Sequence, residues 1–268
     1  MSGVIFVNTL KMHWRGAFYW GIGLGLLAYY ILVIIPDMSA LSQFEAMAET
    51  LPPVFMQLLG ASDAAMLATP EGFIGFGFFG YALLLLAVYA VLAGLNVTAN
   101  EEDEGILDIV LSLPLARWRL VLEKSAAHMV LTLLIVVFSL VGLLLGIQQS
   151  ALELNTGRLV EATVNMLPGV LFMIALTIFV SVLVRRKSVA IGIVAGIIAA
   201  SYFMDFVSKA VTNDLVQVVQ KFSFYTYYDS GGVIVNGLNM GNIALLLGIT
   251  GVLMAGSLWF FNHRDIGL

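Results

Sequence analysis

The chain has 268 residues, of which 60% are hydrophobic and only 11% charged, with a formal net charge of −5 and no cysteine. A soluble domain carries about 25% charged residues, so most of this chain must be dissolved in lipid rather than water. The acid excess argues against nucleic acid as a partner, and the lack of cysteine removes disulfides, thiolate nucleophiles and cysteine metal sites.

The chain opens with MSGVIFVNTLKMHWRGAFYW, which places Lys11 and Arg15 directly before a long apolar run. No small-residue cleavage site follows that run, so it does not read as a cleaved signal peptide. Residues 2–14 read instead as an interfacial helix, with Val4, Ile5 and Phe6 toward lipid and Trp14 at the headgroups. Six largely uncharged runs follow, at about 16–35, 72–97, 125–147, 162–184, 188–206 and 242–261. Each is near the length that crosses about 30 Å of hydrocarbon as a helix. The fold class expected is an all-α membrane protein with six transmembrane helices in a single domain over 1–268. The length leaves no room for an additional folded nucleotide-binding domain.

Basic residues set the orientation. Lys11, Arg15, Arg117, Arg119, Lys124, Arg185, Arg186, Lys187 and Arg264 fall on one side; Arg158, Lys209 and Lys221 fall on the other. The positive-inside rule then puts both termini, the 98–124 loop and the 185–187 turn in the cytoplasm. Two outer segments are long, 37–71 and 205–240. In the first, LPPVFMQLLG reads as a short surface helix, and TPEGF at 69–73 as a helix start with Thr69 as N-cap, Pro70 in the first turn and Glu71 near the positive end. In the second, residues 206–222 have helical apolar spacing, followed by the aromatic, glycine-broken YTYYDSGGVIVNG. An amphipathic surface helix and a re-entrant pair capping a pathway both fit.

The cores of the six runs hold no Asp, Glu, Lys or Arg, which argues against proton or ion coupling through buried charges. No Gly-x-Ser-x-Gly turn is present, and His13, His128 and His263 read as interfacial polar residues. Small residues recur at helix spacing: Gly21/Gly25 and Gly192/Gly196 form GxxxG pairs that suit close helix contacts, either inside one subunit or at a dimer interface. Phe76 and Phe79, within GFIGFGFFG, suit either a lipid-facing surface or an apolar substrate pathway.

The most charged stretch is NEEDEGILDIVLSLPLARWRLVLEK at 100–124. Four consecutive acids, Glu101 to Glu104, would cost roughly 10 kcal/mol in lipid, but suit the first turn of a helix outside it. Ile106, Ile109, Val110 and Leu113 then recur at i, i+3, i+4 and i+7, and Pro114 stops the pattern. The residues describe an acid-capped amphipathic helix just below the bilayer. Acids there would be repelled by an anionic membrane surface, so a protein partner explains them better.

This stretch resembles the cytoplasmic loop of ABC-2 type transporter permeases, with Glu101-Glu102, Glu104-Gly105, Pro114, Arg117 and Lys124 in register; it departs at Ile106, where threonine is common. LLGASDAAMLATPEGFIG resembles the outer loop before span two in one branch of these permeases, and WFFNHRDIGL resembles their C-terminal ending. The resemblance implies a membrane subunit of an ATP-driven exporter of the type V ABC class in the cell inner membrane. A second permease copy, in a homodimer or heterodimer, and a separate ABC ATPase subunit would be its partners. ATP and magnesium would be bound by that ATPase and no cofactor by this chain, which has no Gly-x-x-x-x-Gly-Lys-Ser/Thr loop. The 98–124 loop would carry the coupling helix, with Glu101, Glu102, Glu104, Gly105, Ile109, Leu113, Pro114 and Arg117 at the ATPase contact. Apolar spans suit a hydrophobic or amphipathic substrate such as a drug, antibiotic or lipid. A channel or ion-coupled carrier working without ATP is the alternative, and a membrane enzyme a more distant one.

Overall fold

Hydrocarbon offers no hydrogen-bond partners, so a spanning segment must satisfy its own backbone, and a helix does so within one segment. In the computed structural model, which describes residues 3–35, 37–50, 68–105, 116–184, 186–210 and 213–263, the chain is helical almost throughout. In order the helices are α1 (Val4–Ile34), α2 (Met38–Glu49), α3 (Pro70–Leu95), α4 (Ala99–Asp103), α5 (Arg117–Gln149), α6 (Thr156–Leu183), α7 (Lys187–Ala210), α8 (Asp214–Gln220), α9 (Phe224–Tyr228), α10 (Ser230–Asn236) and α11 (Met240–His263). Six of them, α1, α3, α5, α6, α7 and α11, are long and apolar enough to cross a membrane. No strand occurs among the described residues. The chain is an all-α membrane protein.

The helices exceed the uncharged runs. α1 has 31 residues, about 46 Å at 1.5 Å per residue. The interfacial segment at 2–14 is therefore no separate helix: from Val4 it is the start of α1. α7 likewise runs through Asp205 to Ala210, beyond the end of the uncharged run. The charge is accommodated because Lys209, one turn on, pairs with Asp205 at 2.8 Å and the Thr226 hydroxyl donates to the same carboxylate at 3.1 Å. The apolar spacing over 206–222 is thus shared by two helices. Asn213 starts the second one, its side chain accepting from Leu215 N.

Caps follow local chemistry. Thr69 accepts from Gly72 N at 3.1 Å, with Pro70 and Glu71 in the first turn of α3, as the TPEGF pattern predicts. Asp37 caps α2; the Ser39 hydroxyl and then Ala40 N hold its carboxyl below the usual range. LPPVFMQLLG lies outside the described residues.

Packing separates the helices into central and peripheral ones. α6 is the most buried of the six and α11 the least. α1 and α5 lie parallel along most of their length. Gly21 and Gly25 meet Phe138, and a Cβ at Gly142 would overlap the Gly25 carbonyl. Phe18 and Phe138 close the seam edge to face at 5.3 Å. Of the two readings open for Gly21 and Gly25, the contact inside one subunit fits their surroundings, since α5 occupies their face. Small side chains here let two backbones approach, which larger ones would prevent. α3 packs on α6 in the same way, since a Cβ at Gly94 would overlap Thr177.

α3 contains one π-helical stretch, Gly75–Phe79. The segment after α8 covers it. Asp229, at φ 41°, turns the chain between α9 and α10. Tyr228 is buried and its hydroxyl donates to the Phe79 carbonyl at 3.0 Å, while Asn165 Nδ2 donates to the Tyr228 carbonyl at 2.5 Å. Ile234 packs at Gly75. The glycine-broken turn is thus a pair of short helices docked onto the bundle.

Candidate functional site

Residues 98–105 and 116–124 lie at the end of the bundle where α1 and α5 begin and α3 and α6 finish. After α3 the chain turns through Asn96–Thr98 and forms α4, which carries Glu101 and Glu102; Glu104 follows exposed. Glu101, Glu102 and Asp103 therefore lie in a short helix that closes at Glu104. Gly105 explains the break. Its φ of 70° is left-handed, and its N–H bonds back to the Glu102 carbonyl at 3.1 Å. A glycine is favoured there because a Cβ would strain the backbone. A Cβ at Gly105 would meet nothing within 4 Å among the described residues, so the backbone conformation is what favours glycine there. Ile109, Leu113 and Pro114 lie outside the described residues. Arg117 is half-buried at the first position of α5.

The structure joins the acids to Lys124, read from the sequence as a cytoplasmic basic residue in register with the family loop. Lys124 is buried on α5. Its ammonium pairs with Glu101 at 2.5 Å and donates to the carbonyls of Asn96 at 3.4 Å and Val97 at 3.2 Å. A cation suits this place because the end of α3 presents unpaired carbonyls and the negative helix pole. Thr98, in the same turn, is hydroxyl-bonded to Ser181 of α6 at 3.2 Å. α4 also touches α7. The loop is therefore anchored to four spanning helices at once.

A second set of contacts was not legible in the sequence. Glu123, next to Lys124, accepts from Gly3 N and Phe6 N at 3.2 Å each and pairs with Arg119 at 3.0 Å. It caps the start of α1, whose own N-cap, Gly3, has no side chain to do so. The Arg119–Glu123 spacing of four residues was the available signal; the target on α1, 120 residues away, was not. His128, one turn further, is buried at 2% exposure, and its ring lies 5.2 Å from that of His13 on α1. It sits buried in the seam between α1 and α5. Among the described residues no cluster of three or more His, Asp or Glu side chains could hold a metal ion.

The other predicted residues are dispersed. Phe79 is fully buried against Phe78, ring centroids 5.1 Å apart, and packs in the core. Phe76 is half-buried beside Tyr81 at 5.8 Å. Gly192 and Gly196 lie on an exposed face of α7, where an added Cβ would meet nothing within 4 Å among the described residues.

Comparison with known families agrees with this architecture. The family model described as ABC-2 family transporter protein matches residues 4–266. A search of curated proteins returned no match.

Proposed function

The chain belongs to the ABC-2 family of transporters, and from that premise we propose that it is the permease half of an exporter driven by ATP hydrolysis in a separate subunit. As an ABC-2 permease it is a multi-pass membrane component of an ABC transporter and is not itself catalytic; the family implies an ABC ATPase partner. The finer reading places both termini and the 98–124 loop on the cytoplasmic side of the inner membrane. There the loop contacts the ATPase, which holds ATP and magnesium.

The observation that carries this reading is the anchoring of the acidic loop. A coupling element has to pass a displacement to the spans without yielding itself. α4 meets that requirement through Lys124–Glu101, through Thr98–Ser181 and through its contact with α7. Glu101 then serves the anchor, and the exposed Glu104 is the acid best placed to meet a partner. Movement of the loop would reach α3, α5, α6 and α7 together and rearrange the bundle between two states.

The open Gly192/Gly196 face of α7 suits contact with a second permease copy. The apolar spans suit a hydrophobic or amphipathic cargo.

The test is pull-down of the ATPase and ATP hydrolysis in the reconstituted complex. Glu104→Lys should weaken assembly or uncouple turnover from cargo without lowering the thermal stability of the permease. Leu111→Asp, which charges the sequence-read apolar stripe of Ile106, Ile109, Val110 and Leu113 where Leu107 and Leu111 widen it, should do more damage. Wild-type assembly and coupling in both variants would sink the proposal.

A further inference from the structure

Between α6, α7 and α11, beneath the segment that follows α8, lies a crevice of about 480 Å³. Its walls include Phe172 of α6, Ile197 and Met204 of α7, Leu245 and Ile249 of α11, and Phe224 of α9. Ser201 also lines it, but its hydroxyl is already engaged, with Ser223 at 3.0 Å and with Phe224 N at 3.0 Å. The interior is thus apolar and offers little to a polar ligand. Ile197, Leu245 and Ile249 are substantially exposed, so the crevice is open on the outer flank of α7 and α11.

Charge appears only at the mouth. Lys221 lines the rim, is exposed, and makes no ion pair among the described residues. Its backbone carbonyl is fixed by the Tyr227 hydroxyl at 2.8 Å, which holds the rim in place. The nearby carboxylate of Asp205 is taken by Lys209 and Thr226. Upstream, α8 exposes Leu215, Val218 and Val219, and Phe222 follows, also exposed. A short helix with such a face lies in the headgroup layer with its apolar side in the acyl region. Lys221 is then at headgroup depth, with the crevice directly below it.

We propose that this crevice binds an anionic phospholipid, one acyl chain between α7 and α11 and the headgroup phosphate on Lys221. The volume falls within the range of small-molecule sites, and an apolar slot under a single free ammonium selects a long chain carrying one negative head. This assignment does not depend on the coupling reading, because it rests only on the crevice and the charge at its mouth.

The experiment is native mass spectrometry of the full chain after delipidation and controlled re-addition of phosphatidylglycerol or phosphatidylcholine with identical acyl chains. Wild type should retain phosphatidylglycerol about fivefold better, the effect expected of one basic residue near an anionic lipid. Lys221→Gln should bring the two lipids level. Ala200→Trp, at an exposed position lining the crevice, should abolish retention of both; Ile249→Trp replaces it if that variant fails to fold. Equal retention of the two lipids by wild type would overturn the proposal. So would an undiminished preference in Lys221→Gln, or undiminished binding in the filled crevice.

Discussion

Lys124 and Glu101 are 23 residues apart and 2.5 Å apart in space, and the same ammonium also reaches the carbonyls of Asn96 and Val97. One buried cation therefore closes the end of α3, holds an acid of the loop and belongs to α5. The joint between loop and bundle depends on it more than on any other single side chain described at that end.

Removing the cation should be felt more than removing the acid. Lys124→Met leaves a carboxylate and two helix-terminal carbonyls without their donor. The expected loss is about 2 kcal/mol, below the range for fully buried pairs because Glu101 keeps some access to water. Glu101→Gln should cost less, since the carbonyls retain the ammonium. Thermal unfolding of both variants in lipid nanodiscs checks this, and an equal or reversed order would count against the anchoring role.

A glycine in the α1–α5 seam and one on the open face of α7 should respond differently. Gly142→Ala forces a Cβ into the Gly25 carbonyl, so α1 and α5 must separate, at about 1–3 kcal/mol. Gly192→Ala meets open space and should change subunit stability by no more than about 0.5 kcal/mol. The readouts are accumulation in the membrane and melting temperature of the isolated subunit. Matching behaviour of the two variants would contradict the packing described for α1 and α5.

Tyr228→Phe removes only the hydroxyl that donates to the Phe79 carbonyl. Losing this buried hydrogen bond to a helix carbonyl should cost about 1 kcal/mol. Asn165→Ala should cost a similar amount by releasing the Tyr228 carbonyl. The double variant should lose less than the sum, because both bonds hold the same turn against the π-helical stretch of α3. Strict additivity in a thermal double-mutant cycle would show that the two bonds act separately.

Orientation can be read with single cysteines, since the chain contains none of its own. Ser188→Cys should stay protected from a membrane-impermeant thiol reagent in intact cells, and Asn213→Cys should label. The reverse pattern would place the acidic loop outside and remove it from contact with any cytoplasmic ATPase.

The chain alone determines six helices, their order and the helix start at Thr69. Lipid thickness sets the length of an apolar run, and a cap is a contact between neighbours in sequence. The resemblance of residues 100–124 to a known loop was legible for the same reason, being a contiguous pattern. Tertiary structure decides what each apolar or small residue faces. Gly21/Gly25 and Gly192/Gly196 are the same motif, yet one pair is closed by Phe138 and the other is open. Phe76 and Phe79 lie in one glycine-rich run, yet only Phe79 is sealed in the core. In a membrane protein, lipid and a neighbouring helix are equally apolar, so hydropathy cannot tell them apart. Glu123 and Lys124 show the polar side of the same limit. Adjacent charges before an apolar run signal a membrane boundary, but their partners, Gly3 and Glu101, are brought to them only by the packing of α1, α4 and α5.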